Sequence, residues 1–188
     1  ELLMVMLAGV SLPRPEYNKM MKDLIAALKA NGPRIKPKVR LLYTGGHADN
    51  PEFFDLLQQN DAHVVSDNTG FGTRAADVLI REDGDPLEAI IDYYFEEKPA
   101  ATRQMGTQVE RMERLLDLVK QYKADGVVAS RLYMCDLWAF EHFLMRKRLH
   151  ENNVPFLELE VDYTPEGQGQ IKTRVQAFVE SLADRQTA

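Results

Sequence analysis

The stretch Asp125-Gly126-Val127-Val128-Ala129-Ser130-Arg131-Leu132-Tyr133-Met134-Cys135-Asp136-Leu137-Trp138 decides the fold. Gly126 to Ser130 has the length and apolar content of a buried strand. The loop that follows carries Cys135, the one cysteine of the chain, and Asp136 then opens a helix. Strand, loop and helix start in that order are a common way for an α/β domain to present chemistry.

The same unit recurs on either side. Downstream, Asp136 to Asn152 is a helix with Leu137, Phe140, Leu144 and Leu149 inward and Arg146 to Arg148 outward. Pro155 to Tyr163 is a fourth strand, and its alternation Leu157-Glu158-Leu159-Glu160-Val161-Asp162 predicts an edge or a face near solvent. The closing helix runs from Gly169 to Leu182 with Ile171, Val175, Phe178, Val179 and Leu182 on one side. Upstream, the spacing predicts a longest helix over Thr102 to Lys123, its apolar face traced by Met105, Val109, Met112, Leu115, Leu116 and Val119. Asp85 caps a helix that starts at Pro86 and runs through Tyr94. Ala62 to Ser66 is a strand, followed by the capping-rich loop Asp67 to Arg74 and a short helix at Ala75. Val39 to Thr44 is the first strand and ends in Gly45-Gly46, with Asn50 capping a helix from Pro51 to about Gln59. Four strand-plus-helix units predict a four-stranded parallel sheet with helices on both faces.

Ahead of these units, Glu16 to Ala30 is a helix with Tyr17, Met20, Met21, Leu24, Ile25 and Leu28 on one face, closed by Asn31-Gly32-Pro33. The expected division is therefore a helical lead-in over residues 1–37 and an α/β domain over residues 38–188. The apolar run Leu2 to Val10 is too short to span a bilayer and has no basic region before it. With Glu1 in the first position, it reads as the tail of an upstream element of a longer protein. The net charge of −6 argues against a generic nucleic-acid binder. A single cysteine excludes an internal disulfide framework, and the absence of a secretory signal points to the cytoplasm, with no membrane association.

In an open parallel sheet, ligands bind beyond the carboxyl ends of the strands. Those ends carry His47, the loop with Gly70, Gly72 and Arg74, then Arg131 to Cys135, then the stretch from Asp162 to Gln170. Gly70, Gly72 and Arg74 form either an anion-accepting loop or a structural turn; the spacing is neither that of a dinucleotide fingerprint nor of a P-loop. Arg131 just past a strand end suits substrate contact or an ion pair with a nearby acid. Cys135 is a buried inert thiol or a thiolate stabilised by the N–H groups of the following helix. The scattered histidines do not complete a metal site, and a nucleophilic pair of Cys135 with His47 or His142 stays open without support from the spacing.

Lys123-Ala-Asp-Gly-Val-Val128, Arg131, Met134-Cys135-Asp136-Leu137-Trp138 and Glu141 together resemble the C-terminal domain of the 2-hydroxyacyl-CoA dehydratase D-component family. Val154 to Tyr163 followed by Gly167-Gln168-Gly-Gln-Ile-Lys-Thr-Arg174 is similar to the family's closing strand, glycine loop and helix. Asn50-Pro51-Glu52 and Asp67 to Arg74 are similar to its first two strand ends, so the likeness covers residues 39 to 182. The resemblance implies a flavodoxin-like, Rossmann-like three-layer domain. It further implies that Cys135 is one ligand of a 4Fe-4S cluster whose other ligands lie outside this chain. His47, Gly70, Gly72, Arg74, Arg131 and Gln168 would then be rim or substrate contacts. The activity implied is one-electron reduction of an acyl-CoA thioester, by a 2-hydroxyacyl-CoA dehydratase (a lyase) or an ATP-dependent benzoyl-CoA reductase (an oxidoreductase). The implied partners are a sister subunit of the same family and an ATP-hydrolysing iron–sulfur activator. The chain alone is expected to hold no intact cluster and to be inactive. Two departures stand out: Gly70 and Ala100-Ala101 occupy positions where many members carry cysteine. The competing reading is a non-catalytic flavodoxin-like binding or electron-relay module.

Overall fold

The computed structural model describes residues 2–32, 35–46, 51–58, 61–162 and 168–187. The chain divides into two compact units, residues 1–37 and 38–188. The first holds helices α1 (Leu2–Ser11) and α2 (Arg14–Asn31). Within it, the Tyr17 hydroxyl donates to the Val5 carbonyl at 3.2 Å. α2 ends on Gly32, whose φ of +65° lies in the left-handed region and whose N–H reaches the Leu28 carbonyl.

The second unit is the α/β domain. Its strands are β1 (Val39–Gly45), β2 (Ala62–Asn68), β3 (Gly126–Leu132) and β4 (Phe156–Val161). Its helices are α3 (Pro51–Leu57), α4 (Pro86–Asp92), α5 (Gln108–Gln121), α6 (Asp136–Glu151) and α7 (Gln168–Thr187). All pairings are parallel, in the order β2-β1-β3-β4. Alternate strand residues feed two cores. On one face Leu41, Tyr43, Val128, Leu157 and Leu159 meet Phe53 and Leu57 of α3 and Val175, Val179 and Leu182 of α7. On the other, Leu42, Val127 and Ala129 meet Met112, Leu115, Leu116 and Val119 of α5 and Met145 and Leu149 of α6. The result is the expected three-layer α/β domain with a four-stranded parallel sheet.

Two expectations about helices are corrected. α5 is not the longest helix and does not start at Thr102. It begins at Gln108, and Met105 and Val109 are exposed rather than inward. Gly106, with φ of +82°, and a turn over residues 101–107 take up the intervening chain. The inward face of α6 is Glu141, His142, Met145 and Leu149, while Leu137 and Phe140 point outward. α4 starts as expected, with the Asp85 carboxylate accepting from the N–H groups of Leu87 and Glu88, and then runs into a turn of π-helix, Tyr93–Glu97. The expected cap at Asn50 lies outside the described residues.

Candidate functional site

In the order β2-β1-β3-β4 the chain moves one way from β1 to β2 and the other way from β3 to β4. The topological switch point is therefore the crevice between β1 and β3, beyond their carboxyl ends. At its centre β1 ends in Gly45 and Gly46, and the Gly46 N–H reaches the Ser130 carbonyl of β3 at 3.4 Å. Below it, the Tyr43 and Ser130 hydroxyls are 2.5 Å apart in the core.

Both glycines are required by close approach. Gly45 has φ of +154°, and a Cβ there would lie 3.0 Å from Ser130 Oγ. A Cβ on Gly46 would come within 2.8 Å of Trp138 Cδ1. The indole of Trp138, from the first turn of α6, thus closes over the end of β1. This contact joins the crevice to the helix that Cys135 introduces.

Cys135 is the residue just before α6, with φ of −87° and ψ of 91°. Its N–H closes a turn onto the Leu132 carbonyl at 3.1 Å, and its carbonyl accepts from the Ala139 N–H at 3.0 Å. The turn forces Met134 to φ of +61°, an uncommon conformation for a side chain without local hydrogen-bonding ability. The thiol is half-buried and free. Around it Tyr133, Met134, Leu137 and Phe140 are exposed, at 63%, 76%, 40% and 60% of their full areas. A run of large apolar side chains beside a single thiol is a surface suited to being covered.

α6 is held from beneath by an ion pair that sequence reasoning missed. Arg111 of α5 and Glu141 of α6 are both buried, and two guanidinium nitrogens each lie 2.8 Å from a carboxylate oxygen. The third nitrogen donates to the Gln104 carbonyl and to Thr107 Oγ1, so Arg111 also organises the turn before α5. Glu141 was visible as a motif residue. Arg111 lies thirty positions earlier on a helix face that reads as polar.

Arg131 sits beside Glu158 and Glu160 of β4, pairing with Glu160 and lying 3.8 Å from Glu158. Glu158 also pairs with Arg146 of α6. His142 is fully buried between Trp138 and Phe156, with Nδ1 3.4 Å from Glu158 Oε1 outside hydrogen-bond geometry. Burial pushes the His142 imidazole below its ordinary value, against the pull of Glu158, so it is neutral at pH 7. Burial would raise Glu158, but the hydrogen bond and charge of Arg146, together with the neighbouring His142, hold its carboxyl below the usual range.

The loop after β2 is built around the Asp67 carboxylate. It accepts from the Thr69 N–H and hydroxyl at 2.9 and 2.7 Å, from the Thr73 N–H at 3.2 Å and from the Thr73 hydroxyl at 2.8 Å. Gly72 is buried against that carboxylate, and a Cβ would come 2.6 Å from Asp67 Cγ. Gly70 is exposed on the same loop, and Arg74 is half-buried at its end. His47 lies outside the described residues, and Gln168 is the first residue of α7. Among the described residues no group of three His, Cys, Asp or Glu side chains could hold a metal ion. Cys135 can therefore supply one ligand but not a set. No helix among the described residues is long and apolar enough to cross a membrane.

The family model for the 2-hydroxyglutaryl-CoA dehydratase, D-component, matches residues 1–182. The chain is 30% identical over 156 residues to a putative dehydratase subunit, YjiM, of Escherichia coli, covering 80% of this chain and 39% of that protein. It is 24% identical over 182 residues to the (R)-phenyllactyl-CoA dehydratase beta subunit of Clostridium sporogenes, covering 95% and 47%. It is 22% identical over 185 residues to one of the subunits of the benzoyl-CoA reductase of Thauera aromatica, covering 97% and 48%. The chain thus spans about half, or less, of the length of these curated relatives.

Proposed function

The chain belongs to the 2-hydroxyglutaryl-CoA dehydratase, D-component family, and on that premise we propose that it is the C-terminal part of an iron–sulfur subunit acting on an acyl-CoA. The observation that carries this reading is the placement of Cys135. It is a half-buried thiol at the carboxyl rim of a parallel sheet, at the first turn of a helix and ringed by exposed apolar side chains. Cys135 would provide one thiolate to a 4Fe-4S cluster, and such a cluster would supply one-electron chemistry for reduction of a CoA thioester. The sequence has no second cysteine, so the other ligands come from outside this chain.

The chain's own residues position and shield that thiolate. The turn from Leu132 to Cys135 fixes it beyond β3. Trp138 against Gly46 fastens the first turn of α6 to β1, and Arg111 with Glu141 fixes the second. Tyr133, Met134, Leu137 and Phe140 exclude water once another domain covers them. The full assembly is a 2-hydroxyacyl-CoA dehydratase or a benzoyl-CoA reductase, working in the cytoplasm with a sister subunit and an ATP-hydrolysing iron–sulfur activator. The 188-residue chain alone holds no complete cluster and does not turn over.

Anaerobic reconstitution tests both halves of this reading. The 188-residue chain treated with iron and sulfide should show no stoichiometric four-iron chromophore; a stable one would overturn the shared-cluster reading. In a full-length protein containing this chain, Cys135→Ser should lower iron and acid-labile sulfide. Unchanged contents would return Cys135 to the status of an ordinary thiol.

A further inference from the structure

Arg74 is a cation without a match. The guanidiniums of Arg114 and Arg111 come close enough to that of Arg74 to act on it electrostatically. Arg111 is matched by Glu141 and Arg114 by Asp77. The remaining nearby carboxylate, Asp67, attracts Arg74 but is satisfied by the N–H and hydroxyl groups of Thr69 and Thr73. Among the described residues no acceptor hydrogen-bonds the Arg74 guanidinium. Burial, then Arg114 and Arg111, push Arg74 below its ordinary value. A guanidinium stays protonated regardless, so Arg74 remains a half-buried charge with two other cations near it and no hydrogen-bonded carboxylate among the described residues.

That potential faces a cavity of about 240 Å³ at the carboxyl end of β2. Its wall includes Gly70, Arg74, Tyr94, Lys98 and Gln104, and among the described residues no acidic side chain lines it. In a chain with 29 acidic and 23 basic residues, two cations without an acid make an unusual lining. Lys98 Nζ lies over the Tyr94 ring, 4.7 Å from its centroid, and forms no ion pair among the described residues. Gln104 Oε1 accepts from the Ala101 N–H at 2.5 Å, which leaves the amide nitrogen as a donor. A Cβ on Gly70 would sit 3.1 Å from Arg74 Nη2, so the glycine keeps the guanidinium accessible. The volume is below the roughly 300–1,000 Å³ of sites that enclose a whole drug-sized ligand, and suits one compact group.

We propose that this cavity is a phosphate subsite, with Arg74 as its bidentate anchor and Lys98 and Gln104 as additional donors. Two unmatched cations favour a dianionic phosphate over a singly charged carboxylate. The phosphate is either free or the end group of a larger molecule. Coenzyme A is the source favoured by the proposed function, and that choice alone rests on it.

The test is calorimetric titration of the 188-residue chain with inorganic phosphate, with coenzyme A and with pantetheine, which shares the thiol arm but lacks phosphate. Phosphate should bind saturably and pantetheine should not. Arg74→Gln and Lys98→Gln should each weaken phosphate binding by about tenfold or more, the effect of removing one charged hydrogen bond. Lys98 is only half-buried, so its variant serves if the Arg74 variant fails to fold. Coenzyme A binding more tightly than phosphate, with the same sensitivity to both variants, assigns the source to the cofactor; equal affinity assigns it to free phosphate. Absence of saturable phosphate binding, or binding indifferent to both substitutions, overturns the subsite. Iron content does not enter this experiment, so the cluster reading and the phosphate subsite can fail independently.

Discussion

The loop after β2 folds around its own carboxylate, whereas the loop after β3 turns most of its side chains outward. Asp67 draws the hydroxyls and N–H groups of Thr69 and Thr73 into one centre, with Gly72 buried beneath. From Tyr133 to Phe140 the chain instead holds a left-handed Met134 and shows four large apolar groups to solvent. Apart from the exposed Phe71 and the unmatched Arg74 at its end, the first loop is complete within the domain. The second is stabilised at its base and unfinished at its top, as expected of a surface that functions against something else.

The largest effect should come from the ion pair beneath α6. Glu141→Ala strands the buried Arg111 charge and should cost about 3–5 kcal/mol in denaturant unfolding. A loss under about 1 kcal/mol would show that α6 stands without it. Next, Asp67→Ala should cost about 2–3 kcal/mol, because four donors lose a charged acceptor at once. An effect near zero would erase the contrast, since the β2 loop would then not depend on its centre. Met134→Gly should raise stability by about 1 kcal/mol, since it relieves the left-handed side chain while Met134 packs little. No gain in thermal midpoint would mean that the turn stores no strain. Smallest, Phe140→Ser should change the stability of the chain by less than about 0.5 kcal/mol. A larger loss would show that Phe140 is already packed, and the two loops would no longer differ in kind.

The sheet was legible because burial on both faces produces compact apolar runs, and glycine and proline punctuate them. Val39 to Thr44 and Gly126 to Ser130 fall inside observed strands for that reason. The alternation in β4 predicted an edge or a face near solvent, and β4 is an edge, its Glu158 and Glu160 held by arginines. The faces of α6 were not legible. Apolar residues surround that helix, and two of its inward positions are the polar Glu141 and His142, whose partners or surroundings lie on other elements. The apolar spacing of Met105 and Val109 pointed to a helix through Thr102, whereas Gly106 adopts a positive φ and both side chains lie in solvent. The chemical rim was legible as a set of strand ends. That Trp138 covers Gly46, or that Arg74 is left unmatched among three arginines, depends on contacts between distant segments.

The closure of Trp138 over Gly46 has a spectroscopic consequence. The chain contains a single tryptophan, and it stands at the joint between β1 and the helix that begins after Cys135. Its emission is therefore a local signal with no background from other indoles. If the first turn of α6 lifts from β1 while the rest of the sheet persists, the emission spectrum moves before the far-ultraviolet circular dichroism does. The molecule carries its own reporter for the opening of that one seam.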